Sequence, residues 1–214
     1  KGAGQHEKVD HISSQTVLAT TVISVVISIV GFFAGRWILM LMGAEPQVLT
    51  AATTYLRITF LGMPFIFGYI IFQSLLRGIG EVKMPFYIVL GTVILNTILD
   101  PILIMGWGPI PAYGIAGAAI ATVATQGIAA LIGILILIRG DYGIRLRAAD
   151  FKPDLKLIKR MFKLGLPASL EQSSRALGLT VMTILVASFG TLGIATYGIG
   201  TKILSLVFMI SIGM

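Results

Sequence analysis

The chain has 214 residues, 56% of them hydrophobic and only 12% charged, with a mean hydropathy of +0.95. That composition excludes an ordinary water-soluble domain and indicates an integral membrane protein. The formal net charge of +7 would suit a nucleic-acid binder, but its placement argues otherwise, and the lack of cysteine removes disulfides, thiolate metal sites and thiol nucleophiles.

Read in windows of about 19 residues, the sequence shows six apolar segments near 16–42, 48–76, 84–107, 113–138, 160–189 and 192–214. Each is long enough for a helix across a hydrocarbon core of roughly 30 Å. A β-barrel would show segments of about 10 residues alternating in polarity, and none does. The expected fold is all-α and polytopic. The histidines, His6 and His11, fall in the polar stretch before the first segment, where a solvated loop is expected rather than a metal site. In the second segment Gly62 and Pro64 are expected to interrupt the helix, and Tyr55, Arg57 and Gln73 are its polar members. Tyr55 lies near a span end, where an interfacial aromatic is ordinary.

The third segment contains the cleanest bilayer-length run, Phe86–Trp107, and Asp100 is the only acid in it. An ionised group at mid-membrane costs roughly 2.5–3.5 kcal/mol even on lenient insertion scales, and such groups usually serve an ion or substrate pathway. Asn96 precedes it by four residues and so projects from the same side of the helix. Pro101 lacks the N–H that would bond the carbonyl of Thr97, so a bend and a free backbone oxygen are expected here. A carboxylate, an amide and a carbonyl in one turn offer hard oxygen ligands to a proton or a small cation such as sodium. The alternative is a protonated carboxyl bonded within the helix bundle.

In the fourth segment Gly114, Gly117, Ala118, Ala121 and Ala124 are expected to mark close helix packing. Thr122 and Gln126 are its polar residues, and Thr122 has the alternative of bonding back to its own helix. The polar stretch Arg139–Lys163 divides four spans from two, giving segments 1–138, 139–159 and 160–214. Pro153 and Asp154 make a helix entry, with Leu155, Ile158, Met161 and Phe162 on one face and Lys156, Lys159, Arg160 and Lys163 around the other. That stripe predicts a membrane-surface helix leading into the fifth span, the other reading being a solvated basic loop. Beyond Gly165 and Pro167, Glu171, Gln172 and Arg175 form a polar group. Glu171 and Arg175 are spaced to neutralise each other. Lys202 is the cation of the sixth segment.

Twelve of the sixteen Lys and Arg lie in alternate loops: Lys1 and Lys8, Arg77 and Lys83, and eight between Arg139 and Lys163. The loops near 43–47, 106–114 and 190–193 carry none, although Arg36 lies close to the first. This is the positive-inside pattern, which places the basic loops in the cytoplasm and excludes nucleic acid as the reason for the charge. The first residues look like the middle of a loop and the last segment runs apolar to Met214, so the chain is expected to be an internal piece of a longer transporter that does not transport alone.

Several stretches in order resemble one family. They are Gln73-Ser74-Leu75-Leu76-Arg77-Gly78-Ile79-Gly80-Glu81 with Pro85, Leu95-Asn96-Thr97-Ile98-Leu99-Asp100-Pro101-Ile102-Leu103-Ile104, Gly114-Ile115-Ala116-Gly117-Ala118-Ala119-Ile120-Ala121-Thr122, and Gly165-Leu166-Pro167-Ala168-Ser169. Together they resemble the multidrug and toxic compound extrusion (MATE) transporters. The resemblance implies twelve helices in two pseudo-symmetric six-helix lobes, of which this chain would hold helices three to eight, in a protein monomeric when complete. It implies export of cationic or amphipathic drug-like compounds across the cell membrane in exchange for sodium or protons, with no other cofactor. Asp100 and Asn96 then match the N-lobe cation or proton site, with Thr122 as an oxygen ligand and Tyr55 as a hydrogen-bonding neighbour. The family's helix-one acid has no counterpart here. In many relatives a C-lobe acid lies about eight residues beyond the helix-seven proline; this sequence has Arg175 there and Glu171 one turn earlier, a departure from the pattern.

A lipid-linked saccharide flippase of the same superfamily is the alternative. It would need a cationic cavity, for which only Arg57, Arg175 and Lys202 are available within the spans. A membrane-embedded enzyme is a remote reading, because the spans offer no paired acids, histidine or cysteine.

Overall fold

The computed structural model describes residues 6–41, 46–187 and 190–213. Residues 1–5, 42–45, 188–189 and 214 lie outside the described residues. Six long helices follow one another: α1 (His6–Leu41), α2 (Pro46–Gly78), α3 (Lys83–Met105), α4 (Ile115–Arg139), α5 (Leu155–Ala187) and α6 (Gly190–Gly213), with one 3-10 turn at Ala148–Phe151. No strand is assigned among the described residues. Helices α1 to α4 are long and apolar enough to cross a membrane.

The ends of the helices are set by identifiable residues. α2 begins at Pro46, whose fixed φ and missing N–H suit a first helical position. The Glu81 carboxylate accepts from the amides of Lys83 and Met84 at 3.0 and 3.2 Å and so opens α3. At the end of α4, Gly140 takes a left-handed conformation (φ +78) and its amide bonds the Ile136 carbonyl at 3.1 Å. The Asp154 carboxylate accepts from the amides of Lys156 and Leu157, at 3.0 and 3.1 Å, and caps α5.

Three expectations need correction. His6 and His11 lie on α1, which starts ten residues before its apolar segment. Pro64, expected to interrupt its helix, sits inside a continuous one, as do Pro101 and Pro167. A proline removes one backbone bond, whereas breaking the helix would free several groups in a medium that cannot solvate them. The basic amphipathic stretch is the first part of α5 and continues without a break past Pro167.

The chain forms two compact units, Lys1–Ile158 and Lys159–Met214. In the first, α1 packs on α2, α2 on α4, and α3 on α4, while α2 and α3 scarcely touch despite their short connection. The buried centre is Tyr69, Phe72 and Leu76 of α2, Ile88 of α3, Ala129, Ala130 and Leu137 of α4, and Ile144 after it. Small residues make the seams. Gly133 accepts the Phe72 ring, and Gly117 lies against the Leu103 carbonyl of α3. A second contact locks the α3–α4 hairpin, where the amides of Tyr113 and Gly114 bond the carbonyls of Leu103 and Ile104 at 3.0 and 3.1 Å.

At Gly117 a Cβ would strike backbone, which cannot move aside as a side chain can. Gly117→Ala is therefore expected to destabilise the hairpin by about 1–3 kcal/mol. Thermal unfolding in detergent checks this: the substitution lowers Tm, whereas Gly91→Ala, with open space around it, leaves Tm unchanged or slightly raises it.

Candidate functional site

Asp100 and Asn96 project from one side of α3, both half-buried, because helical periodicity places residues four apart on the same face. The Asn96 amide donates to Asp100 Oδ1 at 3.5 Å, a long bond that leaves carboxylate lone pairs available. Among the described residues the carboxyl has no other hydrogen bond and no cationic partner. One turn away the Thr97 hydroxyl bonds back to the Val93 carbonyl at 2.8 Å.

The structure does not join the other expected members to this pair by any hydrogen bond. Tyr55 is exposed on α2, and Thr122 is exposed on α4. The back-bonding hydroxyl in that part of α4 is Thr125, which donates to the carbonyls of Ala121 and Thr122 at 3.0 Å each. One turn beyond Thr122, the buried Oε1 of Gln126 has no hydrogen-bond partner. No group of three or more His, Asp or Glu among the described residues converges as a metal site. A monovalent ion at Asp100 would thus rest on one carboxylate, the Asn96 side chain and backbone oxygen.

In the second unit Glu171 and Arg175 pair at 2.8 Å across one turn of α5, both largely exposed. The internal-pair reading describes this geometry, and such exposed pairs contribute only about 0.3–0.5 kcal/mol. Gln172 beside them is exposed.

The most extensively bonded polar cluster was not apparent in the sequence. Gln15 of α1, fully buried, donates to the carbonyls of Asp150 and Lys152 at 2.6 and 2.7 Å and accepts from the Asp154 amide at 3.0 Å. Asp10, also buried, accepts from the Arg145 amide at 2.9 Å and faces the Arg147 guanidinium at 3.7 Å. His11 lies between Asp150, at 3.1 Å, and Asp154, at 3.7 Å. The end of the linker is therefore clasped to α1 rather than solvated. The only advance signal was that polar residues recur among the first fifteen at helical spacing.

Comparison with known proteins gives the chain's relationships. Residues 1–102 match the MatE family. The chain is 31% identical to the probable multidrug resistance protein YoeA of Bacillus subtilis over 97% of its own length and 46% of that protein. It is 29% identical to the multidrug export protein MepA of Staphylococcus saprophyticus over its full length and 46% of that protein. Among solved structures it superposes on a MOP superfamily transporter of Pyrococcus furiosus, described as having a binding pocket of reverse polarity, with a TM-score of 0.85 and 26% identity over 96% of this chain and 45% of that one. An inward-facing MATE multidrug resistance transporter gives 0.80 and 26%, over 96% and 46%. The chain thus spans about half the length of these relatives.

The Asp154 carboxyl is held below its ordinary value of 3.8, first by the Leu157 amide and then by the Lys156 amide and His11, against some opposing desolvation. A carboxylate with a depressed folded value contributes stability above its unfolded value and loses it as pH falls through the folded one. The amides of Lys156 and Leu157 are therefore expected to stay protected from hydrogen exchange at pH 4 and above, and to lose protection as the medium is acidified further. In Asp154→Asn the acid-dependent loss disappears, while Gln15→Leu loosens residues 150–154 at every pH.

Proposed function

Because the chain is a MATE-family sequence, and members of that family are transporters rather than enzymes, we propose that it forms part of a secondary active antiporter in the cell membrane. Its cargo is cationic or amphipathic drug-like compounds, leaving in exchange for sodium or protons. The observation that carries this is Asp100: a lone carboxyl in a bilayer-length apolar helix, with Asn96 as its one hydrogen-bond partner among the described residues. The names of the relatives, multidrug resistance and multidrug export proteins, support the cargo class.

The physical step is a neutralisation. An ionised carboxyl in hydrocarbon carries a penalty of roughly 2.5–3.5 kcal/mol, and an arriving cation or proton removes it. A difference of that size biases two helix packings by about a hundredfold, enough to couple ion entry to a conformational change. Asn96 orients the carboxylate, and Thr122 and Tyr55 serve as oxygen neighbours in the conformation that holds the ion. Residues 1–138 belong to the N-lobe, 139–159 to a cytoplasmic linker, and 160–214 to the start of the C-lobe; the remaining helices complete a monomeric transporter surrounded by lipid.

A saccharide-lipid flippase would need several free cations lining one cavity. Arg175 is already paired with Glu171, which leaves Arg57 and Lys202.

In vesicles carrying the intact transporter that contains this sequence, Asp100→Asn is expected to reduce ion-driven export by at least about a hundredfold, in line with the penalty above. Asp100→Glu keeps part of the activity. Export by Asp100→Asn at the wild-type rate under a sodium gradient and under a pH gradient would defeat the assignment.

A further inference from the structure

Arg57 is a cation inside the apolar helix α2, and the proposed exchange does not use it. Its guanidinium carbon lies 5.1 Å from the centre of the Phe32 ring on α1. Gly31, beneath the Phe60 ring, and Gly35, facing Leu56, bring the two helices together there. Phe32 meets Phe33 edge to face at 5.5 Å, and Phe33 and Trp37, one turn apart, are each 70% exposed. The exposed guanidinium thus sits at the edge of an aromatic patch.

Among the described residues Arg57 has no carboxylate within ion-pair distance and no hydrogen-bond acceptor. From residue 11 to residue 80 the sequence holds a single acid, Glu45. Glu45 lies outside the described residues, and Arg57 stands eleven positions into α2 from Pro46, about 16 Å of axis. An unpaired arginine in a membrane helix is disfavoured, by up to about a hundredfold at the helix centre on insertion scales, and an exposed cation–π contact recovers about two- to fivefold. What remains of the penalty is left for a ligand to remove. Arg57 also stands toward the end of the α1–α2 hairpin away from the basic loops, so topology does not account for it.

We propose that Arg57 and Phe32 form a recognition site for an amphipathic anion. A carboxylate or phosphate oxygen pairs with the guanidinium while an aromatic or acyl body lies on Phe33 and Trp37. The planar guanidinium offers several parallel donors, so one such group can be held by two bonds. The site shares no residue with the Asp100 proposal and stands or falls separately. It extends the cargo or lipid chemistry of the molecule to acids.

The test is equilibrium dialysis of 1-naphthoate, and separately of 1-naphthylmethylammonium, against the intact transporter that contains this sequence in phosphatidylcholine nanodiscs. The expected result is that wild type binds the carboxylate at least tenfold more tightly than the ammonium, that Arg57→Gln loses about ten- to a hundredfold in naphthoate affinity, and that Arg57→Lys, which preserves charge and helix propensity, loses less. Repeating the measurement with phosphatidylglycerol in the disc distinguishes the sources. Competition by that lipid identifies a headgroup phosphate as the occupant, and undiminished naphthoate binding identifies a soluble anion; each supports an anion site. Equal affinity for the two probes, or naphthoate binding unchanged in both variants, overturns it.

Discussion

Hydrocarbon offers no hydrogen bonds, so every polar group that enters it must be satisfied within the protein or neutralised by a ligand. The described structure follows from that constraint. Helices run unbroken through Pro64, Pro101 and Pro167. Hydroxyls in the spans return to their own backbone, as Thr53 does to Leu49, Ser74 to Ile70 and Thr125 to Ala121. Backbone outside the helices is confined to the ends, where Glu81, Gly140 and Asp154 satisfy the groups that helix termini leave open. Against this background, Asp100 with one long hydrogen bond and Arg57 with only a ring are exceptions that call for a partner.

With little hydrophobic force between helices in lipid, close approach depends on shape. The glycine seams at Gly31, Gly117 and Gly133 serve that purpose, and they arrange α1, α2 and α4 side by side with α3 packed mainly on α4. Asp100 therefore belongs to the least enclosed helix of the first unit. A carboxyl on such a helix is open to an exchangeable ion in a way that a residue at the Phe72 centre is not. At the other end of the unit, the Asp10, His11 and Gln15 clasp binds the linker to α1, and the chain enters the second unit within α5, after Ile158. The linker's last residues are thus part of the first unit's framework.

Sequence reasoning reached the fold class and the six helices because hydropathy over a bilayer length is a strong, local signal. It singled out Asp100 and Asn96 as candidates for the same reason: a single acid in an apolar run stands out without any tertiary information. Gly117 was legible as a packing residue from its small neighbours. The clasp was not, because Gln15 and Asp150 are 135 residues apart and only tertiary folding brings them together. Nor was the continuity of the proline-bearing helices, since a residue's local tendency to break a helix says nothing of the surroundings that penalise the break. The match of Arg57 to Phe32 likewise depends on the register between α1 and α2, which the glycine pattern suggests but does not specify.

The central claim is that the Asp100 carboxyl is discharged by an ion that comes and goes. Ion-induced infrared difference spectroscopy on the intact transporter reads that carboxyl directly. The account expects a carboxyl band that changes on adding sodium or on lowering the pH, and that is missing from Asp100→Asn. Identical difference spectra for the wild type and the variant under both conditions would contradict it.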